Sequence, residues 1–189
     1  PAAEQRWITG ELSREDVHGI RRRVQGILVG INTVLADDPL LTARPARDQL
    51  LSRIVLDTNL RMPLDSRLLE TLEQGPVIIV TSRGAVGTHP EKAKQITEKG
   101  GEVIVVPTKH GRCDITVILD KLSERRFQQL LIEGGPAVSA SFLKQDLADE
   151  IYVYISPKLL GDTGGKMISQ GLADLQQQIK LHHIDVQRF

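Results

Sequence analysis

The feature that most constrains this chain is a repeated alternation between short, almost wholly apolar runs and longer amphipathic stretches. The apolar runs fall at 26–31, 53–57, 76–81, 102–106, 128–132 and 151–155 and are dominated by Val, Ile and Leu. Strands with one wet face alternate apolar and polar residues; near-continuous apolar runs of this length belong to strands covered on both faces. Helical patterning occupies 14–25, 90–99, 115–124 and 137–144. Ser13 with Asp16 three residues on resembles a capping box, Asp114 is placed to cap the third helix, and Pro136 suits a first helical turn. Strands alternating with helices predict an α/β fold of three layers, a mostly parallel central sheet flanked by helices. No repeat, low-complexity tract or linker divides the 189 residues, a length sufficient for one core, so 1–189 reads as one domain. The opening Pro1-Ala2-Ala3 without Met suggests an excised fragment or a missing preceding segment, and 181–189 reads as the start of a further strand cut short.

Composition removes several functions. Lys+Arg and Asp+Glu both number 24, which leaves no basic surplus to neutralise a nucleic-acid backbone. A local basic pocket for one or two phosphates needs position rather than surplus. Cys113 is the only cysteine, so neither an internal disulfide framework nor a multi-cysteine zinc site is available. His18, His89, His110, His182 and His183 show no metal-ligand spacing with acids and read as surface or packing residues; no metal is expected. No apolar run is long enough to span a bilayer and no signal peptide opens the chain, so the expectation is a cytoplasmic protein without membrane contact.

Two stretches do not read as scaffold. Residues 30–44, Gly-Ile-Asn-Thr-Val-Leu-Ala-Asp-Asp-Pro-Leu-Leu-Thr-Ala-Arg, follow a buried strand, at the strand end where open α/β sheets bind ligands. Asp37-Asp38-Pro39 stops regular structure there; Asp38 alone reads as a turn residue capping its own backbone, whereas Thr33, Asp37 and Arg44 together read as a ligand site. The second stretch, residues 130–141, delivers Glu133 from an apolar strand through Gly134-Gly135 to a helix opening at Pro136. A glycine turn before a helix start is an anion site suited to pyrophosphate, although by itself it is equally a short βα loop. Glu133 decides between them, because a carboxylate ending an apolar strand needs a partner or a ligand. By alternation it takes the face opposite Ile132. One of Arg21, Arg22 and Arg23 is expected to point inward, and Ser82-Arg83-Gly84 is either a 2′-phosphate site or an exposed turn. The 161–166 glycine-rich segment is not a phosphate loop, since Met167 follows its lysine. No G-x-G-x-x-G follows any strand, which disfavours a Rossmann dehydrogenase.

Taken together, Thr33-Val34-Leu35-Ala36-Asp37-Asp38-Pro39-x-Leu41-Thr42-x-Arg44, Glu133-Gly134-Gly135, Tyr154-Ile155-Ser156-Pro157-Lys158-Leu159-Leu160-Gly161 and Trp7-Ile8-Thr9 resemble the reductase half of the bifunctional riboflavin-biosynthesis deaminase–reductase family. The resemblance runs from about Trp7 to the C-terminus and implies a dihydrofolate-reductase-like fold. It implies NADPH as cofactor and 5-amino-6-(5-phosphoribosylamino)uracil as substrate, with hydride delivered to C1′ of the opened ribose. It places Trp7, Thr33, Asp37 and Thr58 on the cofactor, with Gly135, Pro136, Ala137, Val138, Ser139, Ala140 and Ser141 cradling its phosphates. Gln5, Arg21, Leu41, Arg44 and Glu133 fall on the substrate, and Glu133 and Asp37 are the candidates for catalysis. Arginines suit a ribose 5-phosphate through bidentate, charge-assisted bonds. Positioning is the main demand of hydride transfer.

Three departures accompany the resemblance. Gln5 stands where the family has Ser two residues before its tryptophan. The family's first strand, with its lysine and a Ser-Leu-Asp-Gly turn, lies upstream of Pro1. The zinc deaminase half, with its His-x-Glu and Pro-Cys-x-x-Cys signature, is not among these residues, so the chain by itself is not expected to deaminate. Two alternatives stand beside the main reading: reduction of the 2,5-diamino-pyrimidinone before deamination, or a non-catalytic pyridine-nucleotide-binding domain. Members of the family commonly pair as homodimers.

Overall fold

The computed structural model describes residues 10–45, 50–155, 179 and 181–188. Gln5, Trp7, the 161–167 segment and Phe189 lie outside the described residues. The chain runs α1 (Glu11–Arg23), β1 (Gly26–Gly30), α2 (Ile31–Asp37), β2 (Ser52–Leu56), α3 (Arg67–Glu70), a 3-10 turn (Leu72–Gln74), β3 (Val77–Ser82), α4 (Arg83–Thr88), α5 (Pro90–Glu98) and β4 (Glu102–Val106). A short hairpin of β5 (Thr108–Lys109) and β6 (Arg112–Cys113) then leads to α6 (Ile115–Glu124), β7 (Leu130–Ile132) and α7 (Pro136–Lys144).

The main sheet has the order β4-β3-β2-β1-β7, and every pairing in it is parallel. Alternation along the strands divides the core. Ile27, Val29, Val55, Val77 and Ile79 face one layer with Val34 of α2, Ala85 of α4 and Ile96 of α5. Leu28, Ile54, Ile78 and Val80 face the other with Ile115, Ile118 and Leu122 of α6 and Phe142 of α7. This is the two-sided coverage that the apolar runs predict, and the three layers follow from it.

Several local expectations are corrected. The Ser13–Asp16 capping box does not form: α1 begins at Glu11 with Gly10 as its N-cap, and its first bond runs from the Arg14 amide to the Gly10 carbonyl. Residue 31 ends no strand; it opens α2, a seven-residue helix in a stretch that reads as irregular by sequence. Ile31 and Val34, three apart, bury one face of it, a repeat too short to register as helical periodicity. The Asp-Asp-Pro stop does operate, with Asp38 in the left-handed region at φ 39° directly before Pro39. Asp38 does not cap its own backbone through its side chain: Oδ1 accepts from the Arg67 amide at 3.0 Å, the entry to α3. Asp114 does cap α6, Oδ1 accepting from the Thr116 amide at 3.1 Å. Ser82-Arg83-Gly84 is the start of α4, where Ser82 Oγ accepts from the Ala85 amide at 3.1 Å.

Residues 151–155 form no strand. They make no ladder with the described strands, and Val153 and Ile155 are 69% and 88% exposed, because an apolar run becomes a strand only beside a strand edge. Tyr154 ties the segment to α1 through its hydroxyl, which donates to Asp16 Oδ2 at 2.6 Å. Residues 181–188 likewise contain no strand, and their side chains are exposed.

Candidate active site

The site is assembled where β1 and β7 lie side by side. Leu28 pairs with Ile132, and one rung further the Glu133 amide donates to the Leu28 carbonyl at 3.0 Å. Gly134 then presses on β1: a Cβ there would lie 2.8 Å from Val29 Cβ and 3.0 Å from Val29 Cα, so no larger residue fits without displacing backbone. Gly135 takes φ 54°, the left-handed region, and α7 starts at once with Pro136 in its first turn. A Cβ on Gly135 would stand 3.6 Å from Thr33 Oγ1. The 30–44 and 130–141 stretches, about a hundred residues apart in sequence, therefore meet, with Thr33 of α2 against the β7–α7 turn.

The opening of α7 offers fewer free donors than an ordinary helix start. Pro136 has no N–H, and the Val138 and Ser139 amides turn back to the Gly135 carbonyl at 3.1 and 3.3 Å. Within 135–141, Gly135 and Ala137 are exposed, Val138 packs against the core and Ala140 is buried. Ser141 Oγ donates to the Ala137 carbonyl at 2.7 Å. The surface a ligand can reach is thus concentrated at Gly135 and Ala137.

Glu133 emerges opposite Ile132, as alternation predicts, and meets Arg21 of α1. Arg21 Nε donates to Oε2 at 2.9 Å, and Nη2 lies 2.7 Å from both carboxylate oxygens. Arg21 is the inward-pointing member of the arginine run, and its Nη1 also donates to the Thr42 carbonyl at 2.8 Å. Its neighbour Arg22 donates through Nη1 to the Arg44 carbonyl at 2.7 Å. Consecutive arginines of α1 thus clamp both ends of the 42–44 turn. Burial raises the Glu133 carboxyl above its ordinary value, and the charge and hydrogen bonds of Arg21 oppose that rise.

The remaining expected residues divide. Thr33 and Asp37 lie one turn apart on α2, Thr33 partly buried and Asp37 exposed. Arg44 is exposed, so its guanidinium is accessible. Leu41 packs its side chain into the core, leaving its backbone for any ligand. The loop holding Leu41 is anchored by Arg53, fully buried in β2, which donates to the Leu40 and Thr71 carbonyls and to Thr71 Oγ1. Thr58 stands at the end of β2, two strands from β7, and is engaged there. Its carbonyl accepts from Ser82 Oγ at 2.8 Å and its Oγ1 from the Cys113 amide at 3.1 Å. Beside it, Asn59, Ser82, Gly84, Ala85, Thr88 and His89 line an open cavity of about 400 Å³. Asn59 and His89 line this cavity without sitting in any sequence motif. His18, expected as a surface or packing residue, is half-buried beside the Thr42 backbone, Arg21 and Arg44. Its spacing of three and four residues from Arg21 and Arg22 is the signal that places it on their face. Among the described residues, no cluster of His, Cys, Asp and Glu could hold a metal ion, and no helix is long and apolar enough to cross a membrane.

These features define an α/β protein of dihydrofolate-reductase-like fold, with a polar site at the carboxyl ends of its parallel strands. Solved relatives share it: Acinetobacter baumannii RibD aligns over 100% of this chain and 50% of its own, with TM-score 0.71 and 26% identity. A deaminase/5-amino-6-(5-phosphoribosylamino)uracil reductase from Thermotoga maritima aligns over 97% of this chain and 47% of its own, with TM-score 0.66 and 28% identity. The chain belongs to the RibD C-terminal domain family, whose model matches residues 1–189. It is 35% identical to the riboflavin biosynthesis protein RibD of Actinobacillus pleuropneumoniae over 95% of this chain and 47% of that protein. It is 34% identical to the 2,5-diamino-6-ribosylamino-4(3H)-pyrimidinone 5′-phosphate reductase of Methanothermobacter thermautotrophicus, over 92% and 79% respectively. The chain spans about half the length of the RibD relatives it matches.

Proposed function

We propose that the chain is the NADPH-dependent reductase that converts 5-amino-6-(5-phosphoribosylamino)uracil to its ribitylamino form in riboflavin biosynthesis. The observation that carries this reading is the convergence of Arg21 of α1, Thr33 and Arg44 of the 30–44 stretch, and Glu133 with the Gly134-Gly135 turn of the 130–141 stretch at the β1–β7 side of the sheet. The turn fits a dinucleotide phosphate: it is exposed at Gly135 and Ala137, it has no side chain in the way, and Thr33 stands beside it. Residues 135–141, Thr33 and Asp37 would hold the cofactor here, and Thr58 with the cavity at Ser82 and Asn59 would hold its far end. Bound NADPH supplies the hydride.

The chain's own contribution is orientation. Arg44, and the donor capacity Arg21 has left, suit a ribose 5-phosphate. Arg21 fixes the Glu133 carboxylate, which can accept from the uracil N–H groups or the sugar hydroxyls. Asp37 and Glu133 are the carboxyl groups at the site able to hold the proton that accompanies reduction. The reading takes 1–189 as one reductase domain of a cytoplasmic homodimer, joined in some relatives to a deaminase domain. The exposed apolar side chains of Val153, Ile155, Ile184 and Val186 support an association surface. Incubating the chain with NADPH and each pyrimidine, deaminated or 2,5-diamino, and following NADPH absorbance tests the reading. Preference for the uracil supports it, preference for the diamino compound moves it to the neighbouring reductase, and no oxidation with either overturns it.

A further inference from the structure

Between α1 and the 42–44 turn lies a ring nitrogen that the site has not yet used. His18, Arg21 and Arg22 stand at spacings of three and four residues on one face of α1. The two arginines fix the Thr42 and Arg44 carbonyls at 2.8 and 2.7 Å, and the His18 imidazole lies beside the Thr42 backbone. His18 Nδ1 is buried, and among the described residues it has no hydrogen-bond partner. A buried, unsatisfied ring nitrogen destabilises a fold and calls for an explanation.

The groups around the ring are mostly cationic. Arg14 and Glu15 stand one turn before it on α1, Arg21 and Arg22 one turn after, and Arg44 approaches from the turn. Across the sheet edge, Glu133 is engaged by Arg21, and Asp16 accepts from the Tyr154 hydroxyl of the 151–155 segment. Both of these carboxylates therefore already have partners, and the charges that bear most on the imidazole are those of Arg21, Arg44 and Arg22.

We propose that His18 is a further substrate-recognition residue, whose imidazole, seated with Arg21 and Arg44 at the 42–44 turn, binds the substrate's phosphomonoester dianion in its protonated form. One proton passes from solvent to the ring as the dianion enters, and nothing else changes covalently. Burial and the neighbouring arginines hold the free imidazole below its ordinary value of 6.5, which favours its neutral form before a dianion arrives. A dianion in contact reverses that balance. This inference rests on the reading that the turn receives a phosphate.

The test is an imidazole nitrogen–proton NMR titration of the whole chain between about pH 5 and 8, with and without saturating ribose 5-phosphate. His18→Gln identifies the His18 signal by its loss. The ligand should move the His18 midpoint upward by about one pH unit, a tenfold change in proton affinity. In turnover, His18→Gln should raise KM more than it lowers kcat and should remove the imidazole step from the pH profile of KM. Arg44→Ala is the control for the site itself. Ribose 5-phosphate that binds through Arg44 while the His18 midpoint stays put overturns the His18 inference and leaves the phosphate site standing. Ribose 5-phosphate binding that is absent, or indifferent to Arg44→Ala, overturns the phosphate site and this inference with it.

Discussion

Replacing Arg21 by Met and Glu133 by Gln, singly and together, separates what the ion pair does for stability from what it does for chemistry. The side chains are 15% and 29% exposed, so the pair is neither surface decoration nor fully dry. Breaking a fully buried pair from one side costs about 3–5 kcal/mol, because it strands the other charge. Solvent access at both groups here screens the stranded charge, and the raised Glu133 carboxyl means that ionising it already costs the fold something, so about 1 kcal/mol at most is the expected loss for Glu133→Gln. Arg21→Met also removes the bond to the Thr42 carbonyl and should cost about 1 kcal/mol more. In a fold of this size these losses lower Tm by roughly 2–8 °C. The double variant strands nothing and should cost no more than Arg21→Met alone, with a coupling energy of about 1 kcal/mol. The pH dependence follows from the raised Glu133 carboxyl. A raised folded value favours the protonated form, so its stabilising contribution is full below the unfolded value of 4.5 and is lost as pH rises through the folded one. The pair is thus held at neutral pH at some cost to the fold, and all three variants should lose turnover whatever their stability. Thermal melts and NADPH oxidation on the four proteins decide the matter. Additive destabilisation, or a double variant that still turns over at the wild-type rate, would refute the reasoning.

Further expectations concern the turn and the arginine beyond it. Gly134→Ala drives a methyl to 2.8 Å from Val29 Cβ and should destabilise the protein by about 1–3 kcal/mol, read as a lowered Tm. Gly135→Val places a branched residue at φ 54° over the exposed turn, and NADPH affinity measured by fluorescence titration should fall sharply while the protein still folds; unchanged affinity removes the cofactor from this turn. Arg44→Ala should raise substrate KM at least about tenfold with little effect on NADPH affinity; equal loss of both would move Arg44 to the cofactor.

The layers were legible because five of the six apolar runs carry their own evidence: 26–31, 53–57, 76–81, 102–106 and 128–132 all contain a sheet strand within a residue or two. The sixth, 151–155, has the same composition but makes no ladder with the described strands, and pairing is not encoded in composition. Helices of four to seven residues escaped for a different reason. α2, α3 and α4 complete barely one or two turns, so Ile31 with Val34, or Leu68 with Leu69, cannot establish a period. In the site, sequence marks the residue types but not their partners. Glu133 at the end of an apolar strand demands a counterpart, yet nothing in the sequence names Arg21, 112 residues away, as the one it meets. His18 is the sharper lesson, because a lone histidine on a charged helix face gives no sign that Thr42 folds back onto it.

The central claim is that the Arg21–Glu133–Arg44 cluster and the glycine turn form one site for a phosphorylated pyrimidine and a reduced nicotinamide. It is tested most directly by mixing the purified chain with NADPH deuterated at the transferred position and 5-amino-6-(5-phosphoribosylamino)uracil, then locating the deuterium by mass spectrometry and NMR. The account predicts a ribitylamino product with one deuterium at C1′, formed by the wild-type chain and lost in Glu133→Gln and Gly135→Val. A product without deuterium, or undiminished transfer in both variants, would contradict it.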